Sequence, residues 1–185
     1  MQVLVKRLKS IALAIDSLNE RIGRAIAWTA LAMVLVQFVV VILRYVFAWG
    51  SIPAQESIWY FHGILFMIGA GYTLLKDGHV RVDIFYRESS PRTKAMVDLF
   101  GVIVFLLPVC LLIWGMSWSY VLNSWRVLEG STETSGLPTI FLLKSVIPIF
   151  VILLSLEGIS LAIKSFLVIV GVEKQMPVGQ HLEEL

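Results

Sequence analysis

The sequence predicts an all-α integral membrane protein, with an N-terminal amphipathic helix followed by four transmembrane helices. Three observations predict it. Of 185 residues, 58% are hydrophobic and 15% charged, against about 45 to 50% and about 25% in ordinary soluble domains. Uncharged stretches of 19, 19 and 27 residues interrupt the charged segments, too long for core helices of a soluble domain of this size. Lysine and arginine are also unevenly shared among the connecting loops. A net charge of +2 offers no polycationic face for phosphates, which excludes nucleic acid as a partner. The single cysteine, Cys110, excludes an intrachain disulfide and a paired-thiol relay, and is expected to pack as a small apolar side chain.

Residues 1–24 carry Lys6, Arg7, Lys9, Arg21 and Arg24 and lack the apolar core and cleavage site of a secretory signal. Within them Leu4, Leu8, Ile11, Ile15, Leu18 and Ile22 recur at spacings of four and three, which places them on one side of a helix. The reading is an interfacial helix, leucines and isoleucines at the acyl boundary and basic residues toward anionic headgroups. The same pattern also fits a short coiled-coil seam.

The transmembrane domain covers residues 25–165. Its first span runs over 25–45, with Gln37 as its one strongly polar interior side chain, and ends in Tyr45, Phe47 and Trp49. The second covers 57–75 and the third 99–125, where Pro108 permits a kink if neighbours satisfy the freed carbonyl. The fourth, 139–163, includes Lys144, Pro148 and Glu157, and residues 166–185 form a polar tail. Loops this short leave no room for a soluble domain.

Basic residues set the orientation. Five lie in the N-terminal segment and five in the middle loop, Lys76, Arg81, Arg87, Arg92 and Lys94, whereas the other two loops hold Arg44 and Arg126. Both termini and the middle loop are therefore expected in the cytoplasm, with Lys164 and Lys174 adding to the tail. Trp49, Trp59, Trp118 and Trp125 gather at the opposite face as membrane anchors.

Few residues are suited to intramembrane chemistry. Haem ligation within one chain needs two histidines at matching depth. Here His62 lies inside a span, His79 is 17 residues further on, about 25 Å along a helix, and His181 is in the tail. A proton-coupled exporter needs a well-placed membrane carboxylate, and Glu157 lies close to the cytoplasmic end. Lys144 and Glu157, 13 residues apart and about 20 Å along a helix, cannot pair. Leu153 and Leu161 flank Glu157 at one turn on either side, so it is expected to face another helix or a partner subunit. Gly158 and Ala162 beside it form a small-residue contact face.

Arg44-Tyr45, Glu56 after Pro53, Gly69-Ala70-Gly71, the run Gly78-His79-Val80-Arg81-Val82-Asp83, and Thr134-Ser135-Gly136-Leu137-Pro138 followed by Lys144 and Pro148 occur in that order. Over roughly residues 25 to 165 this pattern resembles the DctQ-type small membrane subunit of tripartite ATP-independent periplasmic (TRAP) transporters. The resemblance implies a multi-pass protein of the bacterial inner membrane that is not an enzyme. It implies a noncatalytic scaffold in sodium-coupled uptake of small organic acids, beside a large elevator-type subunit and served by a periplasmic substrate-binding protein. No cofactor is expected in this chain, and sodium is expected in the large subunit. Independently of the family, the chain lacks a carboxylate cluster or an inverted repeat from which to build its own transport site. The alternative is a membrane anchor subunit of a redox complex, with ligands from another chain.

Candidates for the large-subunit interface are Arg44, Glu56, His79, Arg81, Asp83, Glu157, Gly158 and Ala162. Arg44 either snorkels to headgroups or pairs with Glu56. His79, Arg81 and Asp83 either close the second helix or contact the large subunit. Arg126, Glu129 and Glu133 are candidates for docking the periplasmic protein, and His62 is read as a hydrogen-bonded interior histidine.

Overall fold

A computed structural model of the chain describes residues 2–80, 86 and 88–173. Arg81, Asp83, Arg87, Lys174 and His181 lie outside the described residues. Four helices are each long and apolar enough to cross a membrane: α1 (Gln2–Val46), α2 (Ile52–Leu75), α3 (Pro91–Arg126) and α4 (Ile140–Ile169). The expected spans fall on these four helices, most of which extend beyond them.

The amphipathic segment and the first span form one uninterrupted helix of 45 residues, about 68 Å long at 1.5 Å per residue and over twice the thickness of the hydrocarbon layer. No proline precedes Pro53, so nothing removes an amide from the α1 ladder. Ser51 caps α2, its hydroxyl accepting from the Ala54 N–H at 3.4 Å, and Ser90 caps α3 through the Thr93 N–H at 3.2 Å. In both helices a proline, Pro53 or Pro91, sits in the first turn, where its missing N–H costs nothing. Three helices close in the same way. The N–H groups of Gly78, Glu129 and Val172 donate to the carbonyls of Thr73, Ser124 and Leu167, at 2.8, 3.0 and 3.0 Å. Asp77, Leu128 and Gly171 supply the left-handed residue that each closure needs.

Two widened, π-helical turns interrupt the α-helical register, at Ile64–Ile68 in α2 and Val102–Leu106 in α3. The second directly precedes Pro108, whose ring would otherwise meet the carbonyl of Val104. Widening the turn admits the proline while the helix continues.

Helix α4 is the hub. It packs against α1, α2 and α3; α1 and α2 also touch, whereas α3 packs on α4 alone among the described residues. Polar side chains are among the most deeply buried, Glu157, Asn19, Ser124, Ser160 and Ser165, beside small and mid-sized apolar residues such as Ala95, Val102 and Leu167. Bulky apolar residues such as Phe38, Phe66 and Met116 face outward. Buried polar groups inside and bulky apolar groups outside suit a bilayer. Lipid is as apolar as leucine, so helix contacts rest on close packing of small residues and on polar bonds.

Candidate functional site

Two polar clasps hold the helices, one at each end of the bundle. At the lysine-rich end, the face of α1 that turns inward carries Ala12, Asp16, Asn19 and Gly23. These have the same 4-3-4 spacing as the apolar stripe, displaced by one residue from Ile11, Ile15, Leu18 and Ile22. Asn19 and Glu157 are each 1% exposed, and the Asn19 amide donates to the Glu157 carboxylate at 2.9 Å. One turn further along α4, the Ser160 hydroxyl donates to Asp16, and Lys164 pairs with Asp16 at 2.8 Å. Glu20 joins α1 to the end of α2 through Lys76 at 3.0 Å, and binds Arg24 at 2.7 Å. Glycines allow this approach. A Cβ on Gly71 would collide with the Asn19 amide, and one on Gly23 with the Tyr72 ring.

At the tryptophan-rich end, Glu56 is 5% exposed and accepts from the Ser131 hydroxyl and, at 2.6 Å, from the Leu137 N–H. A Cβ on Gly136 would strike Ser131 and Glu56, so the turn needs glycine there. Beside it Tyr60 accepts from Thr139 at 3.2 Å, and the Trp125 indole donates to Ser145 at 2.7 Å. Lys144 pairs with Glu129 and lies over the Tyr120 ring, 3.9 Å from its centre. Its hydrogen bond holds the Glu129 carboxyl below the usual range.

Glu56 thus meets Leu137 of the Thr134–Pro138 segment across 81 residues of sequence, joining two of the elements that carried the resemblance. A family model described as tripartite ATP-independent periplasmic transporters, DctQ component, matches residues 33–167. The chain belongs to the DctQ family. No curated protein and no solved structure matches it. As a DctQ protein it is the small membrane subunit of a TRAP transporter, in a system that also comprises a large membrane subunit and a substrate-binding protein. This family gives no support to the redox-anchor alternative.

The DctQ chain sorts the interface candidates differently from the sequence reading. Glu56 and Glu157 bond within the chain and are buried, so neither carboxylate is open to a second subunit. Gly158 is also buried, with Leu106 of α3 at 2.7 Å from where its Cβ would stand. Ala162 is half-buried, and Arg44 and His79 are exposed. The pair between Arg44 and Glu56 does not form, because Ser131 and Leu137 occupy both oxygens of the carboxylate. Among the docking candidates Arg126 and Glu133 are exposed, while Glu129 is tied to Lys144. Trp49, Trp59, Trp118 and Trp125 are all exposed.

His62 also departs from expectation. It lies on the outer surface of α2 and stacks on Phe66, with ring centres 6.0 Å apart. The inner surface of α2 is taken by Glu56, Gly63 and Gly71, which meet the α3–α4 loop, α4 and α1. Asp16, Asn19 and Glu20 were not singled out from the sequence. The displaced 4-3-4 run of small and polar residues was the signal that marks them.

Proposed function

We propose that this DctQ chain is a noncatalytic scaffold for a large elevator-type subunit in sodium-coupled uptake of small organic acids across the bacterial inner membrane. One observation carries the reading: the polar groups of the bundle are used to tie helix to helix and the α3–α4 loop to its helix. Glu157 binds Asn19, Lys164 binds Asp16, Lys76 binds Glu20 and Lys144 binds Glu129. A carrier instead keeps ionisable groups open to its pathway, commonly at the ends of broken helices near the midplane. All four helices here run through without such a break. The sodium and substrate sites accordingly belong to the large subunit, and this chain takes no cofactor.

The large subunit is assigned to the outer face of α2, where Trp59, His62 and Phe66 follow at helical spacing and are all exposed. A histidine in a span is costly against lipid, and a protein neighbour with a hydrogen-bonding group relieves that cost. Arg126 and Glu133, at the opposite end from the basic N-terminal segment, are available to the periplasmic binding protein. The lysine and arginine count places that end outside and both termini in the cytoplasm.

Deleting this chain, with the large subunit and binding protein still expressed, should abolish uptake of the acid that the binding protein captures. Sodium-driven uptake at the parental rate by those two proteins alone would overturn the scaffold reading.

A further inference from the structure

A cleft of about 600 Å³ opens at the lysine-rich end, between the N-terminal half of α1 and the ends of α2 and α4. Arg24 and Lys76, which bound the first two spans, stand at its membrane side. Lys9 and Glu173 mark its far end, about 22 Å further along α1 at 1.5 Å per residue. The cleft therefore lies beyond the hydrocarbon layer and opens to water. Five basic side chains line it, Lys9, Arg21, Arg24, Lys76 and Lys164, against the three carboxylates of Asp16, Glu20 and Glu173, an excess of two positive charges. Every carboxylate is already engaged, Asp16 by Lys164, Glu20 by Lys76 and Arg24, and Glu173 by Lys9. Two arginines keep free donors. Arg21 is exposed and makes no ion pair among the described residues, and Arg24, 68% exposed, spends two of its nitrogens on Glu20 at 3.1 and 2.7 Å and leaves the third open. Beside them Leu13 is 66% exposed and Leu75 half-buried.

An occupant matched to this cleft brings two negative charges and apolar side chains, and does so from water. We propose that the cleft holds this chain's own segment 174–185, which lies outside the described residues, with Glu183 and Glu184 on Arg21 and Arg24 and with Leu182 and Leu185 on Leu13 and Leu75. The described chain already turns into the cleft. α4 ends at Ile169, the Val172 N–H donates to the Leu167 carbonyl at 3.0 Å around the left-handed Gly171, and this turn brings Glu173 to Lys9 at 2.8 Å. Ten residues separate Glu173 from Glu183, enough for about 33 Å of extended chain, whereas Lys9 and Arg21 are about 18 Å apart along α1. The charges match as well, since His181 to Leu185 carry two carboxylates against the excess of two. A planar guanidinium takes a carboxylate through two parallel bonds. Such exposed pairs are individually weak, but a short tether holds these carboxylates at an effective concentration on the order of millimolar. An anionic lipid headgroup would satisfy the arginines and leave Leu13 bare, because Leu13 lies about 12 Å beyond Arg21 on the side away from the membrane. The proposal does not rest on the transporter reading.

Disulfide formation in the full chain, on a Cys110→Ala background in nanodiscs of bacterial polar lipids, tests it. Ser17 lines the cleft, and Ser17→Cys leaves every charge in place. Paired with Leu182→Cys it should cross-link about tenfold faster than Arg7→Cys paired with Leu182→Cys, each rate being divided by the rate at which a soluble maleimide labels the helix thiol. Arg7 stands closer than Ser17 to Lys9, where the segment begins, so a tail that samples space freely reaches it at least as often. Glu183→Gln/Glu184→Gln should slow the Ser17→Cys pair about fivefold and leave the Arg7→Cys pair within about twofold, and salt at about 1 M should act in the same way. Equal corrected rates for the two pairs, or a Ser17→Cys rate indifferent to the glutamines, would overturn the docking. Equal rates that diverge only when anionic lipid is left out of the discs would assign the cleft to headgroups and overturn the tail as its occupant.

Discussion

The bond between Glu56 and the α3–α4 loop gives the sharpest test of the fold. Glu56→Ala removes both acceptors at once, leaving the Leu137 N–H and the Ser131 hydroxyl without their partner in a largely buried setting. Hydrogen bonds to a charged group contribute about 1.5 to 3 kcal/mol each, and the two are coupled, so their joint loss is about 3 kcal/mol. At 1.4 kcal/mol per factor of ten, local opening of the loop becomes about a hundredfold more frequent. Hydrogen exchange followed by mass spectrometry on the peptide containing Leu137 reads that change directly. Glu56→Gln keeps a single carbonyl acceptor and should fall between parent and alanine, losing about tenfold in protection. Arg44→Ala should leave the peptide unchanged, because Arg44 takes no part in holding Glu56. Undiminished protection in Glu56→Ala, or an equal loss in Arg44→Ala, would refute the clasp.

Four further outcomes follow from the same geometry. The carboxyl of Glu129 is held below its ordinary value of 4.5 by Lys144, so the pair stabilises the protein above that pH and is lost only as pH falls through the lower folded value. Thermal unfolding of the parent and of Glu129→Gln, compared across pH, should show a constant gap above pH 4.5 that closes under stronger acid. Gly71→Ala should destabilise by about 1 to 3 kcal/mol by pushing on Asn19, whereas Gly115→Ala, with nothing within 4 Å, should be neutral or slightly favourable; equal denaturation midpoints for the two would contradict the contact. Glu157→Lys sets a second ammonium near Lys164 and removes the acceptor of Asn19, so the chain expressed alone should lose about 3 to 5 kcal/mol by thermal unfolding in detergent, while Glu157→Gln keeps the hydrogen bond and most of the stability. Thiol labelling from outside intact cells, on a Cys110-free background, should reach Ser51→Cys and not Ser90→Cys; efficient labelling at Ser90→Cys would reverse the orientation.

The spans were legible because each reports its own composition: an uncharged stretch bounded by Arg24, Arg44, Glu56, Lys76, Asp98 or Arg126 needs no knowledge of its neighbours. The helix starts at Ile52 and Pro91 went unread, because the second and third spans were taken from the uncharged stretches at 57 and 99 and the serine caps lie outside those stretches. What was illegible depends on rotation about the helix axis. α2 and α4 are apolar on nearly every side, so no stripe tells which face turns inward, and His62 was read as interior while it faces outward. The apolar stripe of α1 was read correctly as a helix face, but membrane helices do not pack through such faces. The buried stripe is Ala12, Asp16, Asn19 and Gly23, and the partner of Asn19 stands 138 residues away. Glu56 was read against its sequence neighbour Arg44, a local guess that the α3–α4 loop displaced.

The placement of the clasps has a consequence for how the chain can move. α1, α2 and α4 touch pairwise, and one clasp ties all three at the lysine-rich end through Asn19, Glu157, Glu20 and Lys76. At the tryptophan-rich end Glu56 fixes the α3–α4 loop to α2, and Lys144 fixes it to α4. α3 otherwise rests on α4 alone, seated where Leu106 fills the notch at Gly158. A relative tilt of α1, α2 and α4 therefore breaks buried polar bonds that lipid cannot replace. Motion of α3 disturbs apolar contacts, which acyl chains can partly substitute, and polar ones only near its tryptophan-rich end, where Trp125 bonds Ser145 and Lys144 lies over Tyr120. Such a chain resists deformation through three helices and yields, if anywhere, at the fourth, so a partner that needs a fixed reference is best served on the α1–α2 side, where His62 is exposed.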